Sequence, residues 1–305
     1  MKKRNFAINR VSTPANAVLH LIVGAAAVAC VFPFVFVVAL SLTDNDALAR
    51  DGYRLIPGQW SFEAYRYVFQ TGDQLLQSFL LTALVTVVGT VTAVVVNGMY
   101  AYALARRTYR FRKQLAFLAF FTMLFSGGLV PYYIICTQVM HLNDTIFALI
   151  LPLAVNAYWI LILRTFFQTQ VPDSVIESAR MDGAGEATTF FRIVMPLALP
   201  GLATIALFAC LGYWNDWWNG MLFITDVPSL TPLQYLLIKI ERNMEFLLNN
   251  ASQIAGEQKL AIYRTMPLET VRMAMIVLVT LPIILAYPFF QRYFVRGLTI
   301  GAVKG

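Results

Sequence analysis

The sequence predicts an all-α membrane protein with six transmembrane helices. Three observations carry that prediction: an apolar composition, six long apolar runs, and an uneven distribution of Lys and Arg. Hydrophobic residues fill 59% of the 305 positions and charged residues 13%, with a mean hydropathy of +0.65, values outside the range of soluble chains. The apolar runs cover residues 18–40, 76–104, 115–139, 145–165, 197–224 and 271–290. Each is near or above the ~20 residues that cross a bilayer as a helix.

Orientation follows from the positive residues, which are retained on the cytoplasmic side. Lys2, Lys3, Arg4 and Arg10 precede the first run, and Arg106, Arg107, Arg110, Arg112 and Lys113 crowd the second connection. The connection around His141 to Asp144 has neither Lys nor Arg. Both termini are therefore expected in the cytoplasm, together with the connection at 171–196. The net charge of +7 is the same bias summed, so no nucleic-acid partner is expected; that would call for a basic face on a soluble domain. The first run is too long for the apolar core of a signal peptide and no small-residue cleavage site follows it, so it reads as a retained span.

Several chemistries are not legible. No Gly-x-x-x-x-Gly-Lys-Ser/Thr loop is present to cradle a nucleotide, and zinc-protease and nucleophile-elbow patterns are absent. Cys30, Cys136 and Cys210 fall within predicted spans and read as buried unpaired thiols, and His20 and His141 are too far apart for a metal signature. No metal site and no cofactor bound by this chain are expected. Without an internal repeat or linker, residues 1–305 read as a single transmembrane domain.

The connection at 171–196 is unlike a simple turn between spans. Pro172 and Asp173 supply a helix start, with Asp173 able to cap and Glu177 placed to favour the positive helix end. Asp182-Gly183 signals a turn in which glycine accepts positive φ, and a second helix over 184–194 is expected to stop before Pro196. A surface-lying amphipathic connection would have the same outline. The spacing goes further: Glu177-Ser178-Ala179, three residues, Gly183, nine residues, Ile193, one residue, Met195-Pro196. It resembles the EAA loop of membrane subunits of ATP-binding-cassette (ABC) importers, whose usual form has Ala and Leu where this chain has Ser178 and Met195.

The resemblance covers most of the chain. The six-span plan, this loop, Trp214-Asn215-Asp216-Trp217 and the tail from Arg296 to Gly305 together resemble the smaller permease of carbohydrate importers related to the maltose system, with the type I ABC importer fold. Within that family the chain is most similar to the lipoprotein- or polysaccharide-type permeases of Gram-positive bacteria. The resemblance implies a non-enzymatic permease in the bacterial cell membrane, importing an oligosaccharide or polysaccharide fragment. The implied partners are a second homologous permease, two ATPase subunits that use ATP and Mg, and an extracytoplasmic sugar-binding protein. It also implies that Glu177, Ser178, Ala179, Asp182, Gly183, Ala184, Ile193 and Pro196 form the coupling loop against the ATPase. Leu298, Thr299, Gly301, Lys304 and Gly305 would reach between the ATPase subunits, a tail that is expected to fray unless ordered by that contact.

Residues along a carbohydrate path are less sharply marked. Ser126-Gly127-Gly128-Leu129-Val130-Pro131 interrupts the third run, so the helix there either kinks for packing or opens toward a water-lined path. Tyr132, Tyr133, Asn156, Tyr158 and Trp159 combine hydrogen-bonding groups with aromatic faces suited to sugar, though such residues also fill cores. Trp214, Asn215 and Asp216 belong either to an outer gate or docking surface or to an aromatic belt at the membrane boundary. The 225–270 connection is long for a connector and is expected outside the cell. There Asn249, Asn250 and Gln253 sit in a polar stretch with the signature of an exposed turn, assigned to docking of the binding protein or to passive exposure. An ion-coupled secondary transporter is the alternative, but intramembrane acidic residues are scarce.

Overall fold

The computed structural model describes residues 13–70, 73–250 and 268–302. They belong to two compact units, one of residues up to 70 with 248–278, the other of 71–247 with 279 onward.

In the first unit, α1 (Thr13–Ser41) is a 29-residue apolar helix, and none of its most apolar 18-residue stretch is buried within the chain. A surface of that kind is stable where lipid or another apolar surface covers it. α2 (Asn45–Asp51) is capped by Asp44, whose carboxylate accepts from Ala47 N at 3.0 Å. A single antiparallel bridge between Thr43 and Trp60 and the hydroxyl contact of Ser41 with Tyr65 (2.8 Å) hold α3 (Glu63–Phe69) to this segment.

The second unit is organised on α4 (Asp73–Ala105), a 33-residue helix. Leu81, Val85, Gly89, Ala93, Asn97 and Ala101 are buried along it, a spacing of four that puts them on one stripe. Small residues in that stripe let other helices approach closely, as membrane packing requires. At Gly89 a Cβ would stand 2.5 Å from the ring of Tyr213, whose hydroxyl donates to the Ile150 carbonyl at 2.8 Å.

Among the described residues, three helices are long and apolar enough to cross a membrane unaided, and three bent pairs bring the total to six if each pair is one span. α5 (Arg112–Leu124) and α6 (Leu129–Ile134), the latter extended by a π-turn over Ile135–Val139, meet at 120°. The expected interruption is therefore a break of direction. Gly128 lies at φ 83° there, and Pro131 sits in the first turn of α6, where its missing N–H costs nothing.

α7 (Ile146–Ala154) and α8 (Ala157–Gln170) meet at 50°, a break the apolar run over 145–165 did not announce. Buried Asn97 makes it tolerable. Its amide nitrogen donates to the Ala154 carbonyl at 2.8 Å and its oxygen accepts from Asn156 N at 2.9 Å. Both are backbone groups that the broken ladder would otherwise leave unpaired at membrane depth.

The run expected as one span over 197–224 is also divided. A helical stretch Glu186–Leu197 meets α12 (Leu199–Trp214) at 87°, with Pro200 in the first turn of α12. Residues 215–217 then separate α12 from α13 (Trp218–Phe223). The 16 residues of α12 reach only about 24 Å, short of the ~30 Å hydrocarbon core. Within 225–270, a 3₁₀ turn at Pro228–Leu230 leads to α14 (Leu233–Asn250). Asn249 and Asn250 thus end a helix and are not in the turn the polarity suggested; Gln253 lies outside the described residues.

The last helix, α15 (Leu268–Ala302), continues through Leu298, Thr299 and Gly301. That corrects the expectation of a frayed end: a helix already nucleated by an apolar span adds residues at little further cost, even past glycine. Lys304 and Gly305 lie outside the described residues. Cys30, Cys136 and Cys210 are free thiols, but only Cys136 is buried as expected; Cys210 is half-buried and Cys30 is exposed on α1.

Candidate functional site

The 171–196 connection folds as two short helices about a glycine turn. α9 (Asp173–Met181) begins at Pro172, whose φ of −63° and ψ of 135° put it in the capping position with no side chain to cap with. Asp173 therefore does not cap, contrary to its sequence reading. It stands inside the first turn, where its carboxylate faces Arg107 at 3.9 Å and complements the helix dipole.

The turn at Gly183 is as its sequence predicts. Gly183 adopts φ 82°, its N–H bonds to Arg180 O at 3.0 Å, and Ala184 N reaches back to Ala179 O at 2.9 Å. This pair of bonds is a Schellman stop, which requires the left-handed conformation at the residue that glycine occupies. Glu177, Ser178, Asp182 and Gly183 are exposed, Ala184 and Ile193 half-buried, and Ala179, within α9, buried. Met181 at the apex is 89% exposed.

The second helix departs from expectation at its end. α10 (Glu186–Thr189) passes into a π-turn at Phe190–Val194 and on through α11 (Met195–Leu197), so the helix runs through Pro196 and bends only at Ala198. The wider turn lets Met195 N bond to Phe190 O just before a proline that offers no donor.

What fastens this loop to the membrane helices lies outside the motif. Glu186 Oε2 accepts from the Tyr102 hydroxyl at 2.7 Å, and its other oxygen accepts from Arg180 at the end of α9. Those bonds, Arg180 first, hold the Glu186 carboxyl below its ordinary range, while the same contact raises Arg180. Phe190, 3% exposed, packs on Tyr102 with ring centroids 5.5 Å apart and against the face of α4 opened by Gly98. One cluster accordingly holds Ala101, Tyr102 and Leu104 of α4, Ile160 and Leu163 of α8, Ile176 of α9 and Phe190 and Val194 of the π-turn. Tyr102 and Glu186 stand 84 positions apart, so no local pattern links them; an acid three residues after Gly183 was the only hint.

The residues proposed for a substrate path form two groups. Tyr132 donates to Asn219 Oδ1 at 2.6 Å, and Asn219 donates to Asp216 from its amide nitrogen (2.8 Å) and its backbone (3.1 Å). Asn219, buried and absent from the sequence reading, is what joins Tyr132 to Asp216. Tyr133 stacks on Phe223 with centroids 6.0 Å apart, and Asn215 accepts from Gln234 at 3.1 Å. Trp214 is buried and donates its indole N–H to Val279 O at 3.0 Å. At the α7/α8 break, Asn156 caps α8 through Tyr158 N and Trp159 N. Trp159 is half-buried between two core clusters, whereas Tyr158 is exposed.

Among known proteins, residues 99–300 match the family described as "Binding-protein-dependent transport system inner membrane component". The chain is 39% identical to the polygalacturonan/rhamnogalacturonan transport system permease protein YtcP of Bacillus subtilis, over 92% of this chain and 94% of that protein. It is 36% identical to protein LplC of the same organism, over 93% of each. It is 31% identical to the trehalose transport system permease protein SugB of Mycobacterium tuberculosis, over 90% and 92%. A chain from the crystal structure of a bacterial ABC transporter that imports the acidic polysaccharide alginate superposes with a TM-score of 0.76 at 28% identity, over 94% of this chain and 99% of that one.

Proposed function

We infer the function of this chain from one premise: it belongs to the family of binding-protein-dependent transport system inner membrane components. It is the permease subunit of an ATP-driven importer, a multi-pass membrane protein that forms half of the translocation pathway. Its substrate class is carbohydrate, an oligosaccharide or polysaccharide fragment, in keeping with what YtcP and the alginate importer are named for. The working complex contains a second homologous permease, two ATPase subunits that bind ATP and Mg²⁺, and an extracytoplasmic sugar-binding protein.

The observation that carries the coupling mechanism is the fastening of α9 and α10 to α4 through Tyr102, Glu186 and Phe190. In this reading residues 171–196 lie in the cytoplasm against the ATPase, and 225–270 lie outside. When ATP closes the ATPase pair, α9 and α10 move with it, and the bonded, close-packed joint at Tyr102 passes that displacement to the helix on which the second unit is built. ATP and loaded binding protein must both prefer the outward-facing arrangement, since a ligand shifts an equilibrium only by its differential affinity. Glu177 and Met181 are the contacting groups offered by the exposed side of α9, and Leu298 to Gly305 a second contact.

Reconstitution of the complex in proteoliposomes tests this directly. Labelled oligosaccharide should accumulate with internal ATP and binding protein. Accumulation driven by an ion gradient without ATP would instead establish the secondary-transporter alternative.

A further inference from the structure

At the ends of three membrane helices the chain builds a basic cavity to which the transport cycle described above assigns no role. It encloses about 270 Å³ and is lined by Arg106, Arg107, Arg112, Arg164, Gln168 and Asp173, with Tyr102 and Phe167 among the apolar walls. Arg106 follows the end of α4, Arg112 opens α5, and Arg164 lies in the last two turns of α8.

The charges do not close among themselves. Asp173 is the single carboxylate among the described residues on the wall and faces exposed Arg107 at 3.9 Å. Among the described residues no carboxylate comes within ion-pair distance of Arg106, Arg112 or Arg164, all three half-buried; Glu186, already bonded to Arg180 and Tyr102, acts on Arg106 from beyond that distance. Arg106 rests 5.7 Å from the centre of the Tyr102 ring. Arg164 Nε is buried and meets no acceptor. The C-terminal ends of α4 and α8 favour cations, but Arg112 stands at a helix N-terminus, where a positive charge is unfavourable. Half-buried guanidiniums held together with unfilled donors are costly unless an anion joins them, and forked N–H pairs match phosphate oxygens.

The cavity also adjoins apolar surface. Beyond Arg112, α5 presents Phe117, Leu118, Phe121 and Leu124 exposed, so a ligand with an anionic head and hydrocarbon chains would meet arginines at one end and apolar side chains at the other. We propose that Arg106, Arg112 and Arg164 form a binding site for the phosphodiester headgroup of an anionic phospholipid. Basic pockets between helices at a membrane surface take such headgroups by the same electrostatics.

The test uses the purified, delipidated complex in neutral detergent, titrated with phosphatidylglycerol, phosphatidylcholine or inorganic phosphate, with binding read by native mass spectrometry. Phosphatidylglycerol should bind the wild type in preference to both other probes. Arg112→Gln combined with Arg164→Gln should weaken it roughly ten- to thirtyfold, at about a kilocalorie per arginine. Arg112→Gln alone, at a helix start outside the core, should give part of that loss if the double variant does not fold. Equal binding of phosphatidylcholine, or undiminished phosphatidylglycerol in a folded Arg112→Gln protein, overturns the proposal. Inorganic phosphate competing as well as the lipid would make the site one for free anions. A variant that keeps the lipid but no longer retains the ATPase would make it a protein-docking surface; each of these outcomes rejects the lipid assignment.

Discussion

The hydroxyl of Tyr102, in the last turn of α4, donates to Glu186 Oε2, at the first residue of α10, across 2.7 Å. Because Glu186 also accepts from Arg180 at the end of α9, one carboxylate joins both loop helices to the central membrane helix. Tyr102→Phe removes that bond and leaves the packing on Phe190. Hydrogen bonds to charged groups contribute about 1.5 kcal/mol or more, roughly tenfold in an equilibrium that the bond biases. The expected outcome is normal assembly with the ATPase and a several-fold drop in hydrolysis stimulated by loaded binding protein. Unchanged stimulation would remove Tyr102 from the coupling path.

Gly183→Val addresses the turn between those helices. A Cβ there would meet nothing within 4 Å, so crowding is not the issue; the φ of 82° is. A β-branched residue in that region costs about 1–2 kcal/mol, enough to redirect α10. Membrane insertion should persist while uptake and transport-linked ATP hydrolysis fall, measured in the reconstituted complex. Wild-type stimulation in this variant would show that the turn's conformation is incidental.

Asn97→Leu tests the joint between α4 and the α7/α8 break. The substitution strands the Ala154 carbonyl and the Asn156 N–H, each costing about 1–3 kcal/mol when buried and unpaired. A thermal-unfolding midpoint lowered by several degrees in detergent is expected, with the loss larger than that of Asn97→Asp at neutral pH only if the acid finds a proton. An unaltered midpoint for Asn97→Leu would mean that the break is held by packing alone.

Asp144 clasps the 141–145 connection to the start of 225–270. Its carboxylate accepts from Thr225 N at 2.7 Å and Asp226 N at 3.1 Å, and these bonds, Thr225 first, hold its carboxyl below the ordinary range. A depressed pKa in the folded chain means that the contribution is fully present above the unfolded value, about 3.9, and is lost as pH falls through the lower folded value. Amide protection at Thr225 and Asp226 should therefore be constant from neutral pH to about 4 and decline below it, while Asp144→Ala should lose protection at every pH. Equal protection in both proteins at neutral pH would show the clasp to be unimportant.

The sequence carried the periodic and local features well. Apolar length placed the three unbroken spans, and Gly183 announced its own φ because only glycine occupies such a turn without strain. The breaks at Asn156 and at residues 215–217 were hidden, since an apolar run reads the same whether its helix is continuous or interrupted. The first is held by a distant side chain, Asn97, whereas Asp216 and Asn219 at the second are local to the break. Tyr102 was hidden for the same reason, because a tyrosine near the end of an apolar run looks like an interface aromatic until the fold brings Glu186 to it. The Asp173 reading failed locally: proline's fixed φ competes for the position next to it.

The central claim, that the 171–196 connection is where the ATPase meets this permease, is tested most directly by site-specific disulfide trapping. In a background with Cys30, Cys136 and Cys210 replaced, Met181→Cys puts a thiol at the exposed end of α9, and Asp226→Cys puts one in the 225–270 connection. With cysteines installed across the docking groove of the ATPase, oxidation of the assembled complex should join Met181→Cys to that subunit and leave Asp226→Cys unlinked. Trapping of the ATPase by Asp226→Cys, with none by Met181→Cys, would contradict both the coupling assignment and the orientation on which it stands.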